Sequence, residues 1–226
     1  EIYTLSLHDA LPIWSATEDL VLTEPYDDYK GRNVITKGNE EFVQKHLYRN
    51  EKLKTEVGML RNAFMNNAQA LIHGDLHSGS IFINKNGIKV IDPEFAFYGP
   101  MGYDIGNVIG NIFFALAYAV FAKPERTEFI AWAERTIADI ADGSAQKLSE
   151  KYDAIVHFPL YNGLFKKRYL AQIASDSLGF AGTEIIRRVV GDAKVAELTS
   201  VTDTSVKIPM RSEEHTSELQ SRSAIS

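Results

Sequence analysis

The 226-residue sequence predicts an α+β fold that is mainly helical, with one short β-hairpin set between helical regions. Three observations carry this. Apolar residues recur at helical spacing over 39–67 and again from 104 to 198. Between them, IFIN (81–84) and IKVI (88–91) read as two short strands around a turn. The chain is 45% hydrophobic and 24% charged, which suits a globular domain able to bury a sizeable core.

Each element has its own local reason. In 39–67, Phe42, Val43, Leu47, Leu53, Val57, Leu60 and Phe64 are nearly helical in spacing, giving one long or two short helices that stop at Asn66-Asn67. The dipeptide Asn86-Gly87 predicts a type I′ turn closing the hairpin. Downstream, helices are expected over 104–122, over 125–142 ending at Asp142-Gly143, over 146–156, over 160–178, and over 183–198 with a break near Gly191. The apolar run 107–122 falls short of the ~20 residues of a membrane span and carries Asn107, Gly110 and Asn111, so it is expected as a buried helix.

Charge and composition exclude several roles. A net charge of -6, with no basic run longer than Lys166-Lys167-Arg168, argues against a general nucleic-acid surface. The absence of cysteine removes disulfide and thiolate-metal chemistry and accords with a cytoplasmic location. Neither a signal peptide nor a membrane partner is expected.

The chemistry concentrates in LIHGDLHSGSIFINKNGIKVIDPEFAFYGPMGYDIGN (71–107). Asp75 sits in a polar turn before the hairpin, and Asp92 and Glu94 sit just past its second strand. The hairpin should bring the three carboxylates together, one to orient a hydroxyl nucleophile and two to hold a divalent ion on a nucleotide. The alternative for each is a solvated turn carboxylate. His73 and His77 allow a rival reading as imidazole ligands of a hydrolytic metal; the plainer reading is that both hold the loop through backbone hydrogen bonds. Asp104 opens the apolar helix and suits its N-terminal dipole. Arg187 and Arg188 form either a solvated helix face or an anion- or hydroxyl-binding pair.

At HGDLHSGSIF and IDPEFAFYGPMGYDIG the sequence resembles the small-molecule branch of the protein-kinase-like fold, and within it the 5-methylthioribose kinases. FAGTEIIRRVVGDAKVAEL (180–198) is similar to the twin-arginine segment of that family. The resemblance implies that Asp75 is the catalytic base and also touches substrate, that Asp92 and Glu94 hold Mg²⁺, that Arg187 and Arg188 bind the sugar, and that His73 and Asp104 support the loop. It implies ATP as co-substrate, a small sugar as acceptor, and allows a homodimer of the intact parent. Ser80 stands where protein kinases and aminoglycoside kinases have a metal-binding Asn, so no metal role is carried over to it. Two rivals remain: a kinase of the aminoglycoside, choline or homoserine type, and a non-catalytic kinase-like binding module. The absence of a G-x-G-x-x-G loop before Asp75 implies the C-terminal catalytic lobe with its N-lobe missing, and a chain inactive alone.

The ends read differently. Residues 1–13 (EIYTLSLHDALPI) and 211–221 (RSEEHTSELQS) back-translate to DNA resembling the two partner adaptors of short-read sequencing, read in frame. The expected organisation is therefore an adaptor-derived segment 1–13, a kinase-like lobe 14–210, and an adaptor-derived segment 211–226. Uninterrupted genomic DNA encoding both flanks would overturn it.

Overall fold

The computed structural model describes residues 17–212. Of the two expected flanks, 1–13 and 211–226, all of the first and 213–226 of the second lie outside the described residues. Arg211 and Ser212 lie inside, where Arg211 is 5% exposed and donates to Leu198 O at 3.2 Å and to the Thr36 hydroxyl.

Helix α1 (17–22) and the short α2 (Glu24–Asp27) lead to α3 (Glu40–Val43), which continues as one wide turn over Gln44–Tyr48. Then comes α4 (Glu51–Asn66), so the 39–67 region forms two helical pieces. Asn50 starts α4 by accepting from the Leu53 N–H at 3.1 Å. Its buried residues Leu53, Val57, Leu60 and Phe64 make one stripe toward the core. Phe64 meets Phe97 and Tyr103 edge-on at 5.1 and 5.0 Å, and Tyr103 meets Phe180 at 5.2 Å. This aromatic chain ties α4 to the elements that carry the chemistry.

Two small antiparallel sheets follow. Strands β2 (Ile81–Asn84) and β3 (Gly87–Val90) form the expected hairpin, with Asn84 opposite Gly87. Its turn is not the expected one. The central residues are Lys85 and Asn86, neither at positive φ, and Gly87 takes the positive φ of 139° as the first residue of β3. The Asn84 side chain accepts from the Asn86 N–H at 2.8 Å, a local turn that moves the corner one residue earlier. The second sheet pairs β1 (Ala70–Ile72) with β4 (Phe97–Gly99), a pairing across 27 residues that alternation could not reveal.

Three long helices complete the fold: α5 (Met101–Ala122), α6 (Thr127–Ile155) and α7 (Gly163–Val190), followed by α8 (Ala196–Thr199) and α9 (204–212). Two expected breaks are absent. The chain stays helical through Asp142-Gly143 and through 179–182, because a single helical glycine costs only about 1 kcal/mol and the flanking residues are good helix formers. The expected stop at Gly191 is present: a Cβ there would lie 2.4 Å from Arg187 O. Helix α5 has 22 residues and is long and apolar enough to cross a membrane, so the length argument against a span does not hold. Its buried face, with Gly102, Gly106, Gly110 and Phe114, packs on the rest of the fold.

The α5–α7 contact is backbone on backbone. A Cβ on Gly102 would lie 2.8 Å from Ser177 N, one on Gly106 2.5 Å from Ser177 O, and one on Gly110 3.2 Å from Ala181 O. Glycine at every fourth position lets the two axes close to a distance no side chain would permit.

Candidate active site

The site is built on the loop between β1 and β2, and glycine sets its path. Gly74 has φ +82°, and a Cβ there would lie 2.1 Å from Phe95 O, so this loop presses directly on the turn that follows β3. The Asp104 carboxylate reaches up from the first turn of α5 and accepts from the N–H groups of His73 at 2.6 Å and Gly74 at 3.0 Å. Burial pushes its pKa up, and the two N–H bonds offset that only in part.

His73 joins the two turns. Its Nδ1 accepts from the Asp75 N–H at 3.3 Å, which leaves Nε2–H to donate to Ile91 O at 2.8 Å. His77 does the same within the loop, Nδ1 accepting from the Gly79 N–H at 3.1 Å and Nε2 facing the Ser80 hydroxyl at 3.3 Å. With both His73 nitrogens taken by backbone, the zinc-type reading loses a ligand. Asn111, one turn along α5 from Asn107, receives the Ser78 hydroxyl at 3.4 Å.

Held this way, Asp75 is about one-third exposed, at 34% of its side chain. Its Oδ2 lies 3.7 Å from His77 Nε2, and its Oδ1 lies 3.6 Å from Nη2 of Arg187. Asp75 and Arg187, more than a hundred residues apart in sequence, thus meet directly. Arg188 is brought in through a third residue. Glu184, 2% exposed, binds Arg187 Nε with one oxygen and Arg188 Nε, at 2.9 Å, with the other. Burial pushes the Glu184 carboxyl up, and the two guanidiniums more than reverse it, leaving its pKa lowered. Tyr103 lies beneath this cluster, and burial pushes its phenol up.

Asp92 and Glu94 occupy the turn that abuts Gly74. Asp92 sits in the left-handed region at φ 60°, ψ 53°, shared among non-glycine described residues only by Asp28. Glu94 follows on the Pro93–Phe95 turn. Both are exposed, and neither makes a hydrogen bond or ion pair among the described residues. No group of three His, Cys, Asp or Glu side chains among them could hold a metal ion by itself. That donor set fits Mg²⁺ all the same: the ion keeps water and phosphate oxygens and takes only one or two carboxylates.

A family model of phosphotransferase enzymes matches residues 27–139, a span that includes Asp75, Asp92, Glu94 and Asp104. The chain belongs to the phosphotransferase enzyme family. Among its relatives, a methylthioribose kinase of Exiguobacterium sibiricum is 41% identical over 194 residues, covering 85% of this chain and 48% of the relative. One of Erwinia tasmaniensis is 37% identical over 200 residues, with the same coverage. Methylthioribose kinase 1 of Oryza sativa subsp. japonica is 36% identical over 214 residues, covering 87% of this chain and 49% of the relative. The chain spans about half the length of the curated relatives it matches.

The sequence pointed to Asp75, Asp92, Glu94, Asp104 and the two arginines and missed the buried Glu184 that joins the arginines. Glu184 precedes Arg187 and Arg188 by three and four residues, the spacing at which helical side chains pair, and that signal was available in TEIIRR. The Gly102, Gly106, Gly110 stripe was available too, as a four-residue period in GYDIGNVIG.

Proposed function

We propose that the full-length protein containing this chain is an ATP-dependent kinase that phosphorylates the 1-hydroxyl of 5-methylthioribose, the step that commits this sugar to methionine salvage. The observation that carries the reading is the meeting of Asp75 with Arg187 beside the Asp92–Glu94 turn, in a chain whose relatives are methylthioribose kinases. Asp75 accepts a hydrogen bond from the acceptor hydroxyl and takes its proton as the new O–P bond forms and the bond from the γ-phosphorus to the β-bridging oxygen breaks, releasing ADP. Arg187 and Arg188 donate to sugar hydroxyls or to the transferring phosphoryl oxygens. Asp92 and Glu94 would hold Mg²⁺, which when bound neutralises the phosphate charge.

In this reading the described residues form the C-terminal lobe of a protein-kinase-like fold. Among them no strand precedes Ala70, so the nucleotide cradle is assigned to residues outside them. A cationic acceptor of the aminoglycoside or choline type fits less well, because a guanidinium stands beside Asp75. A cytoplasmic location accords with the cysteine-free sequence.

The test is ADP release by the full-length protein with methylthioribose, ATP and Mg²⁺. Asp75→Asn should lower kcat by on the order of 10²–10⁴ with the KM for ATP little changed. No acceleration by methylthioribose over water would refute the reading.

A further inference from the structure

Two adjacent arginines on a helix would ordinarily splay apart. Here one buried carboxylate holds both, and it takes each by the same edge, Oε2 on Arg187 Nε and Oε1 on Arg188 Nε. The helix makes this possible, since residues three and four positions after Glu184 lie on its own face. The glycine stripe makes room for it: a Cβ on Gly110 would sit only 3.4 Å from the Glu184 Cγ. Arg187 binds the carboxylate along its Nε–Nη2 edge, with Nη2 3.5 Å from Glu184 Oε1, and the same Nη2 lies 3.6 Å from Asp75 Oδ1, so Glu184 and Asp75 share it. One carboxylate between two guanidiniums also leaves one positive charge over, to face Asp75 and an acceptor.

Stability alone does not account for such a residue. Burying a carboxylate with its partners recovers little net free energy, because desolvation offsets the attraction, and an apolar side chain of similar volume would serve as well. What the carboxylate adds is geometry. We infer that Glu184 is a positioning residue for the acceptor side of the site: its buried carboxylate holds Arg188 at Nε and Arg187 along its Nε–Nη2 edge, which fixes the Arg187 guanidinium against Asp75 and toward a hydroxyl-bearing acceptor. Only the kinetic part of its test rests on the proposed kinase reading.

The first measurement needs no substrate. In the 226-residue chain, nuclear magnetic resonance follows exchange of the arginine Nε–H protons with water. Those of Arg187 and Arg188 should exchange slowly, and Glu184→Gln should speed both by about tenfold or more, the loss expected for a hydrogen bond to a charged group. Unchanged exchange overturns the inference. Should Glu184→Gln not fold, Arg188→Ala decides: Arg187 exchange should stay within about threefold of wild type if Glu184 holds it independently, and a tenfold rise overturns the inference. The second measurement is steady-state kinetics of the full-length protein. Glu184→Gln should raise the KM for methylthioribose or lower kcat by about tenfold or more, with the KM for ATP within about twofold. Equal damage toward both substrates would mean a merely structural residue and overturns the inference. A wild-type protein that does not turn over methylthioribose counts against the proposed function only, and the exchange measurement then decides on Glu184.

Discussion

Helices α5 and α6 are neighbours in sequence and both touch α7, yet they are attached to it in opposite ways. Helix α5 meets α7 through glycines, with backbone atoms in contact and Tyr103, Phe114 and Glu184 sealed beneath. Helix α6 is longer, at 29 residues, and Ala133 is its single buried residue. An apolar cavity of about 90 Å³, lined by Ile109, Leu148, Ile173 and Leu178 among others, lies where it meets the other two. The α6–α7 corner leaves Ile155, Leu160 and Leu164 roughly two-thirds exposed or more. Every residue assigned a chemical role stands on the tight side or on a loop tied to it. The lesson is that precision is local: Asp104 on α5 fixes the Asp75 loop, Glu184 on α7 fixes the arginines, and the glycine contact fixes the distance between them.

A side chain wedged into the tight side should have the largest effect. Gly106→Leu would force a side chain into space 2.5 Å from Ser177 O, where backbone cannot yield. Overpacking of this kind should cost about 3 kcal/mol or more, a large part of the roughly 5–15 kcal/mol that holds an ordinary domain. Urea denaturation followed by circular dichroism checks it, and a variant as stable as wild type would show that α5 and α7 can separate freely.

Asp104→Asn should act on chemistry more than on folding. An amide offers one acceptor where His73 and Gly74 present two N–H donors, so the loop must shift and carry Asp75 with it. A displacement of about 1 Å is enough to cost on the order of 10²-fold in turnover. Steady-state rates of the full-length protein beside its melting curve separate the two effects; equal fractional losses in both would assign Asp104 to folding alone.

The two buried carboxylates should also give pH dependences of opposite sign. For Asp104, the folded pKa is raised above 3.8, so the folded state keeps a proton that the unfolded chain has lost. Its contribution therefore falls as pH rises through the window above 3.8. For Glu184, the folded pKa lies below 4.5, so its contribution is present above 4.5 and is lost as pH falls through the folded value. Urea midpoints measured at close pH intervals, with Asp104→Asn and Glu184→Gln as references, should show slopes of opposite sign between each variant and wild type. Parallel slopes would contradict the assigned environments.

What the sequence revealed and what it hid follow the same division. The hairpin, the run of helices and the exposed carboxylates were legible because they depend on local alternation, helical period and short spacings. The β1–β4 pairing was hidden because its partners are separated by the whole hairpin. The turn at Lys85-Asn86 was misplaced by a residue because the Asn84 side chain competes for the same corner. The meeting of Asp75 with Arg187 depends on how closely two helices approach, and Gly102, Gly106 and Gly110 encode that by absence of side chains, which a hydrophobic pattern does not register. The uninterrupted α6 was hidden for the converse reason, since a glycine that tertiary structure ignores looks like one that ends a helix.

Gly143 lies within α6, and a Cβ there would meet nothing within 4 Å. Alanine at this position removes backbone freedom from the unfolded chain and adds no clash, so Gly143→Ala should stabilise the fold by about 0.5–1 kcal/mol, the helical preference of alanine over glycine. For a chain of this size that is a rise of roughly 1–4 °C in Tm. The same exchange at Gly106 would place the same single carbon against Ser177 O and Ala181 N and should destabilise. One methyl group, moved from the loose helix to the tight one, should thus reverse sign. A Gly143→Ala variant that melts lower than wild type would mean that α6 is covered at this point by something packed as closely as α7 is on α5, and the division of the molecule into a tight and a loose side would not stand.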